Sequence, residues 1–158
     1  MVFNNAHELA ELSGVKNAWT VPLRSWLASA LRRQAQTTPR VATSVRNALL
    51  QRASKVVRQA LRTARTFQND LPHALRECGL IAAMQGNVRG ARHHLDESLA
   101  VADRQGARFE HAQTLLARGQ VGMQYGWPEA QQDLTTATQA LQSLGADFVL
   151  NNRAASLE

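Results

Sequence analysis

Two segments of this chain are versions of one another, and this internal repeat limits the available folds more than any other feature of the sequence. The first segment covers residues 71–106 and the second covers residues 109–145. With no gap at the front and one or two residues inserted before the second turn, the matching positions are His73-Ala74 with His111-Ala112, Gly86 with Gly126, Ala91 with Ala130, Leu95 with Leu134 and Gly106 with Gly145. Repeats of about 39 residues with helical periodicity are typical of stacked helical hairpins, which bind other proteins or connect domains.

Composition and patterning favour an all-α protein. Hydrophobic residues make up 44% of the chain and aromatic residues only 5%, so we expect a core of Ala, Leu and Val. Periodicity predicts helices over residues 4–13, 20–36, 39–67, 70–85, 88–105, 107–124 and 127–144, and no strand. Thr20, Thr38-Pro39 and Asp70 are read as helix starts. Gly106 and Gly145 suit left-handed helix ends.

The repeats divide the chain into three parts. Residues 1–69 form basic N-terminal helices, of which 15–68 align with no repeat and are expected to make a divergent hairpin. Residues 70–146 hold the two repeats, and residues 147–158 form a frayed tail in which Leu157-Glu158 fits a cloning remnant. Within the tail, Phe148, Val149 and Leu150 either fold back as a partial cap or mark where a next helix would continue. If the chain is an excised piece, we expect its exposed end to be hidden by self-association as a symmetric homodimer.

The sequence predicts a cellular location because it lacks a disulfide pair, a membrane span and a secretory signal. The chain has a single cysteine, which rules out an internal disulfide and favours a reducing compartment. No apolar run approaches the roughly 18 residues of a membrane span, and the N-terminal residues do not form a secretory signal. We therefore expect a cytoplasmic protein.

Charge is distributed unevenly along the chain. Residues 12–69 contain eleven basic residues and no acid, whereas the remainder has seven basic and twelve acidic residues. On the helix predicted over 39–67, apolar residues share one face, and the opposite face carries a basic stripe of Arg52, Lys55, Arg58, Arg62 and Arg65. This stripe is either a solvated face or an attraction site for an acidic protein surface, nucleic acid or anionic lipid. Because the stripe lacks aromatic residues for base stacking, nucleic acid is disfavoured.

The first repeat resembles a tetratricopeptide repeat. Gly79 fits the small residue where the first helix of that family's hairpin crosses the second. Ala91, Leu95 and Ser98 fit the small, large and small positions of the second helix, and Leu75 stands where the family often has an aromatic residue. The resemblance implies a stack of antiparallel helical hairpins that form an α–α superhelix.

The resemblance weakens in the second repeat and extends to a second family. Ala130 and Leu134 fit, but the inserted residue near Gly126 is expected to shift Gly119 and Gly122 out of register. The run from FQNDLPHAL to YGWPEA is also similar to the helical segment of large bacterial multidomain signalling (serine/threonine–histidine) kinases. That similarity implies a kinase-associated regulatory segment in bacterial signal transduction.

No set of residues points to catalysis, to a cofactor or to a metal. The sequence contains no phosphate-binding glycine loop and no nucleophile turn of the Gly-x-Ser-x-Gly kind. His93 and His94 are adjacent on a helix, so their side chains are expected to point about 100° apart and not to share an ion. His73 and His111 occupy matching repeat positions without a third ligand, and Cys78 is expected to be a small buried hydrophobic residue. Asp96-Glu97 and the pair Glu129 and Asp133 are read as solvated charges.

These observations predict a non-catalytic helical-repeat scaffold that mediates protein–protein or interdomain contacts within a larger bacterial signalling protein. Its partner is expected to be a protein or peptide, or another domain of the same polypeptide, lying in a groove lined by the first helix of each repeat. The candidate groove residues are His73, Arg76, Glu77, Leu80, Glu110, Gln113, Thr114 and Arg118. The alternative is a nucleic-acid-binding helical domain that uses the basic stripe within residues 46–65.

Overall fold

A computed structural model describes residues 22–39 and 41–146 together with Asn5, Leu9 and Val149. Within these residues the protein is all-helical and contains no strand, which confirms the predicted fold class at that level. The six helices are α1 (Pro22–Thr37), α2 (Thr43–Ala64), α3 (Leu71–Met84), α4 (Val88–Arg104), α5 (Arg108–Tyr125) and α6 (Ala130–Ser143). A short 3₁₀ turn, Gln68–Asp70, precedes α3. Of the helix predicted over 4–13, only Asn5 and Leu9 are described, and both are helical; the cap predicted at Thr20 lies outside the described residues.

Glycines end several helices in the way that the sequence predicts. Gly106 and Gly145 have φ values of 62° and 65°, in the left-handed region that residues with a side chain rarely adopt. After Gly106, the backbone N–H of Ala107 donates to the Ala102 carbonyl, which closes the last turn of α4. Ala146 donates to the Leu141 carbonyl in the same way at the end of α6.

Three predicted helix starts differ from the observed ones. α2 begins at Thr43 and not at Pro39, because the Thr38 hydroxyl donates back to the Gln34 carbonyl at 2.7 Å instead of capping the next helix. Asp70 precedes α3, but its side chain makes no cap hydrogen bond. α6 begins at Ala130 and not at residue 127, since residues 128–129 form a turn.

The helices pack as consecutive pairs. The most extensive contacts join α1 with α2, α3 with α4, and α5 with α6, and smaller contacts join α2 with α3 and α4 with α5. α3 also packs against both α1 and α5, so we call α1, α3 and α5 the inner helices and α2, α4 and α6 the outer helices. Among the described residues, the outer helices make no contact of similar extent with one another.

The core runs through the molecule as a chain of small clusters, each shared by neighbouring helix pairs. One cluster joins Leu27 and Leu31 of α1 with Val57 of α2 and Ile81 of α3. A second joins α3, α4 and α5 around Leu95, and a third joins α4, α5 and α6. Since each cluster draws residues from more than one pair, hydrophobic burial ties each pair to the next.

The outer helices share one burial pattern. Four positions recur at i, i+4, i+7 and i+11, and all are buried except Leu134, which is partly buried. They are Ala53, Val57, Ala60 and Ala64 in α2, Ala91, Leu95, Ser98 and Ala102 in α4, and Ala130, Leu134, Ala137 and Leu141 in α6. This spacing places them on one side of each helix, which faces its inner partner.

Two glycines make equivalent close approaches between inner and outer helices. A Cβ added at Gly79 would lie 2.6 Å from Leu95 Cγ and 3.1 Å from the Ala91 carbonyl oxygen. A Cβ added at Gly119 would lie 2.7 Å from Leu134 Cγ and 2.9 Å from the Ala130 carbonyl oxygen. Only glycine allows these backbones to approach so closely.

This equivalence corrects the sequence alignment of the two repeats. Gly119 occupies the position of Gly79, 40 residues later, so the expectation that it leaves the register is wrong. The same spacing makes Gln113, and not His111, the equivalent of His73. The reason is that α5 has 18 residues and α3 only 14, and most of the extra turn lies at the start of α5.

The C-terminal end of the described chain covers part of the core. Val149 packs against the cluster formed by α4, α5 and α6, next to the buried Ala146. Its backbone N–H donates to the Ala146 carbonyl at 3.0 Å. Phe148 and Leu150, the other residues assigned to a cap or a dimer interface, lie outside the described residues, so self-association stays a prediction.

Candidate partner-binding surface

Three of the eight candidate groove residues lie inside the protein. Thr114 is fully buried, and the side chains of Arg76 and Glu77 are also buried among the helices. His73, Leu80, Glu110, Gln113 and Arg118 are half-buried. Arg76, Glu77 and Thr114 therefore do not line an open groove, which corrects their prediction as groove residues.

Glu77 pairs with Arg32 across the α1–α3 contact. Arg32 Nε and a terminal nitrogen donate to the two carboxylate oxygens of Glu77 at 2.7 and 3.1 Å. Burial disfavours the Glu77 carboxylate, but the charge and hydrogen bonds of Arg32 outweigh it, and the pKa of Glu77 is lowered from its ordinary value. A two-point ion pair of this kind fixes the orientation of one helix against the other.

Arg76 and Thr114 link α3 to α5. A terminal nitrogen of Arg76 donates to the Glu110 carboxylate at 2.5 Å and lies 3.4 Å from the Thr114 hydroxyl. The Thr114 hydroxyl is 2.9 Å from that of Ser98, which donates to the Pro72 carbonyl. These side chains satisfy one another's polar atoms and position the inner helices, so they are not free for a ligand.

Arg118 faces the outer helices. It donates to both carboxylate oxygens of Asp133 on α6, at 2.7 and 2.8 Å, and to Asp96 on α4 at 2.8 Å. The hydrogen bonds to Asp133 are the main cause that raises the pKa of Arg118, although burial opposes it and Asp96 assists. Asp133 is buried, which corrects its prediction as a solvated charge.

The candidate partner-binding surface consists of side chains of the inner helices that reach the protein surface. It comprises Leu80 of α3 and Gln113 of α5, and we add Trp26 of α1 and Met123 of α5. Trp26 and Met123 are 53% and 56% exposed, unusually high for large apolar side chains on packed helices. The sequence analysis missed them because Trp26 follows the apolar helical spacing of α1, which predicts a core position.

His73 lies in a polar cluster that the sequence analysis also missed. Its Nε2 is 3.1 Å from the Ser29 hydroxyl, and its Nδ1 is 3.5 Å from the Asp70 carboxylate. Asp70 accepts a 2.5 Å hydrogen bond from Ser25, and the edge of Trp26 meets the His73 ring. Only the i,i+3 spacing of Asp70 and His73 signals this cluster in the sequence.

A serine, a histidine and an aspartate in this order have the composition of a hydrolytic triad. Ser29, however, lies in the middle of α1, where helix hydrogen bonds occupy the backbone N–H groups that would stabilise an oxyanion. Its hydroxyl also donates to the Ser25 carbonyl at 3.0 Å. The cluster is therefore suited to joining α1 to α3 and not to nucleophilic attack.

The remaining titratable groups have distinct surroundings. Cys78 is buried, as predicted, and burial, with smaller effects of Glu77 and Glu97, raises the pKa of its thiol to about 12. His111 pairs with Asp103 across 3.3 Å. His93, His94 and Glu97 offer ligand atoms within 4.8 Å of one another, which is closer than the expected divergence of the two adjacent imidazoles suggests.

All five residues of the basic stripe are exposed, four of them on α2 and Arg65 at its C-cap. No acidic residue occurs anywhere in Thr43–Ala64, so the charges of this helix are not neutralised within it. The stripe lies on an outer helix, whereas the candidate partner-binding surface lies on the inner helices. The two surfaces can therefore be altered independently.

The chain matches no family model, no curated protein and no solved structure in comparisons with known proteins. Among the described residues, none of the helices has the length and apolar content needed to span a bilayer.

Proposed function

We propose that this protein is a non-catalytic scaffold of tetratricopeptide-like helical hairpins, whose inner helices bind a protein or peptide. The observation that carries the proposal is the equivalence of Gly79 with Leu95 and of Gly119 with Leu134. At two places 40 residues apart, a glycine of one helix packs against a leucine of the following helix. A repeated hairpin is expected to show the same contact in each repeat.

The burial pattern of the outer helices supports extending the repeat to a third hairpin. Ala53 and Val57 of α2 stand at the positions of Ala91 and Leu95 of α4. The contact of α3 with both α1 and α5 supports a stack in which first helices line one common side. The region of residues 15–68 would then contain a divergent member of the same array.

The exposed apolar side chains of the inner helices support a peptide-binding role. Trp26 and Met123 offer apolar contact area, and Gln113 offers a hydrogen-bonding group on the same set of helices. A groove with apolar anchors and a few polar groups is suited to an extended or helical peptide. The partner we favour is a segment of another signalling protein or another domain of a kinase-associated polypeptide, in the bacterial cytoplasm.

Site-specific photo-crosslinking tests this proposal. A benzophenone amino acid is placed at Leu80 or Gln113 on the inner helices, and at the exposed Gln131 or Gln139 of α6 as matched controls. In the native host, the inner positions are expected to capture a discrete protein or domain that the α6 positions do not. Equal capture from both helices, or capture from α6 alone, would contradict the proposal.

The alternative function, nucleic-acid binding through the basic stripe, is favoured by one observation: all five basic side chains are exposed on, or at the C-cap of, a helix without acids. If it operates, duplex affinity must fall steeply with salt. Replacing Arg58 and Arg62 by glutamine must then reduce that salt dependence. Duplex affinity that is unchanged by salt and by these two substitutions would exclude it.

A further inference from the structure

A cluster of three potential metal ligands lies on α4, apart from the candidate partner-binding surface. His93, His94 and Glu97 each contribute one ligand atom, and these atoms lie within 4.8 Å of one another. The two imidazole centroids are 5.3 Å apart, and His93 Nε2 lies 3.9 Å from a carboxylate oxygen of Glu97.

The helix explains why the cluster forms. Glu97 follows His93 by four residues and His94 by three, the two spacings that bring side chains together on one face. Because helical side chains lean toward the N-terminus, the Glu97 carboxylate reaches back over the turn that carries both histidines. Adjacent residues do diverge at Cβ, but two imidazoles are long enough to close the gap.

His94 also has an unsatisfied polar atom. Its Nδ1 is buried and has no hydrogen-bond partner in the described part of the chain. A histidine nitrogen with a free lone pair can coordinate a metal ion.

We propose that His93, His94 and Glu97 bind a divalent transition-metal ion of intermediate softness, for which Zn²⁺ is the representative. Two imidazoles and one carboxylate suit such ions, whereas Mg²⁺ and Ca²⁺ prefer oxygen ligands alone. Zn²⁺ lies about 2.0–2.2 Å from each nitrogen or oxygen ligand, so the three side chains move inward by small rotations when it binds. His93 is exposed and Glu97 half-buried, which leaves both side chains room to move.

With three protein ligands, the ion keeps a fourth position for water or for a group from another molecule. This site is independent of the proposed scaffold function, since it lies on an outer helix and uses none of the partner-binding residues. Its loss therefore leaves the peptide-binding proposal intact.

Isothermal titration of the chain with ZnCl₂ tests the site, with MgCl₂ as the ion control. The variants are His93→Gln, His94→Gln and Glu97→Gln, and the matched control is His111→Gln, which removes a histidine that also faces a carboxylate. The wild-type chain is expected to bind one Zn²⁺, and each cluster variant to bind at least about tenfold more weakly, a loss of about 1.4 kcal/mol. The control is expected to bind like the wild type, and Mg²⁺ to give no binding heat.

Unchanged Zn²⁺ affinity in His94→Gln, or an equal loss in His111→Gln, would overturn the proposal, as would a wild-type chain that binds no Zn²⁺. A thermal melt in the presence of Zn²⁺ provides a second readout. Binding to the folded state raises the melting temperature, and this rise must disappear in the three cluster variants but not in the control.

Discussion

At Gly79, the absence of a side chain determines how closely α3 approaches α4. The nearest atoms to an added Cβ belong to Leu95 and to the backbone of Ala91, and Leu95 is fully buried. Neither neighbour can move aside cheaply, since one is packed in the core and the other is main chain. Gly79 was correctly predicted from the sequence as the small residue at the crossing, because a small residue between helical apolar positions is a local signal.

Gly79→Ala is expected to lower the free energy of unfolding by up to about 2 kcal/mol, measured by chemical denaturation. Helix propensity alone predicts a gain of about 1 kcal/mol for this change, so the sign of the result is decided by overpacking, which costs about 1–3 kcal/mol. The same change in a Leu95→Ala background provides the control. There the added methyl group no longer meets the leucine, and only the 3.1 Å approach to the Ala91 carbonyl oxygen remains, so the loss is expected to be smaller. Equal losses of unfolding free energy in both backgrounds would show that Leu95 does not pack against Gly79.

At the scale of helices, buried ion pairs connect neighbouring elements. Arg32 and Glu77 join α1 to α3, and Arg118 joins α5 to α6 and α4. The helices themselves were largely predictable, since apolar periodicity and the glycine turns place most ends within three residues. The ion pairs were not predictable, because charged residues on an amphipathic helix are predicted to be exposed. The partner of Arg32 is also 45 residues away in the sequence.

Glu77→Leu is expected to destabilise the protein by about 3–5 kcal/mol at pH 7, since it leaves the buried Arg32 charge without a partner. The double variant Arg32→Met, Glu77→Leu is expected to recover most of that loss, because the two apolar side chains pack together in place of the ions. Equilibrium denaturation measures both. A double variant as unstable as the single one would mean that the ion pair is not what joins α1 to α3.

The same pair makes stability depend on pH. The folded-state pKa of Glu77 is lowered, so the unfolded chain takes up its proton first as the solution is acidified. The contribution of Glu77 is therefore complete above the ordinary glutamate pKa of about 4.3 and is lost as the pH falls through the lowered value. In the double variant this part of the acid-induced loss is expected to be absent.

At the scale of the whole molecule, the account rests on repetition of one helix pair. The length of the repeat could be read from the sequence, but the alignment of the first helices of the two repeats could not. The reason is that α5 has an additional turn, and its residues have the same helical pattern as the rest of α5. The exposure of Trp26 and Met123 could not be predicted from the sequence either. Whether an apolar residue on a helix is buried depends on which neighbours pack against it.

The measurement that tests the repeated pair most directly is nuclear Overhauser spectroscopy on a sample with labelled leucine methyl groups and glycine Cα. The two predicted close contacts are Gly79 with Leu95 and Gly119 with Leu134, where an added Cβ would lie 2.6 and 2.7 Å from the leucine Cγ. Cross-peaks between the glycine Hα protons and the leucine methyl groups are expected at both places. A cross-peak at Gly79 without its counterpart at Gly119 would contradict the account, because α5 and α6 would then not repeat the packing of α3 and α4.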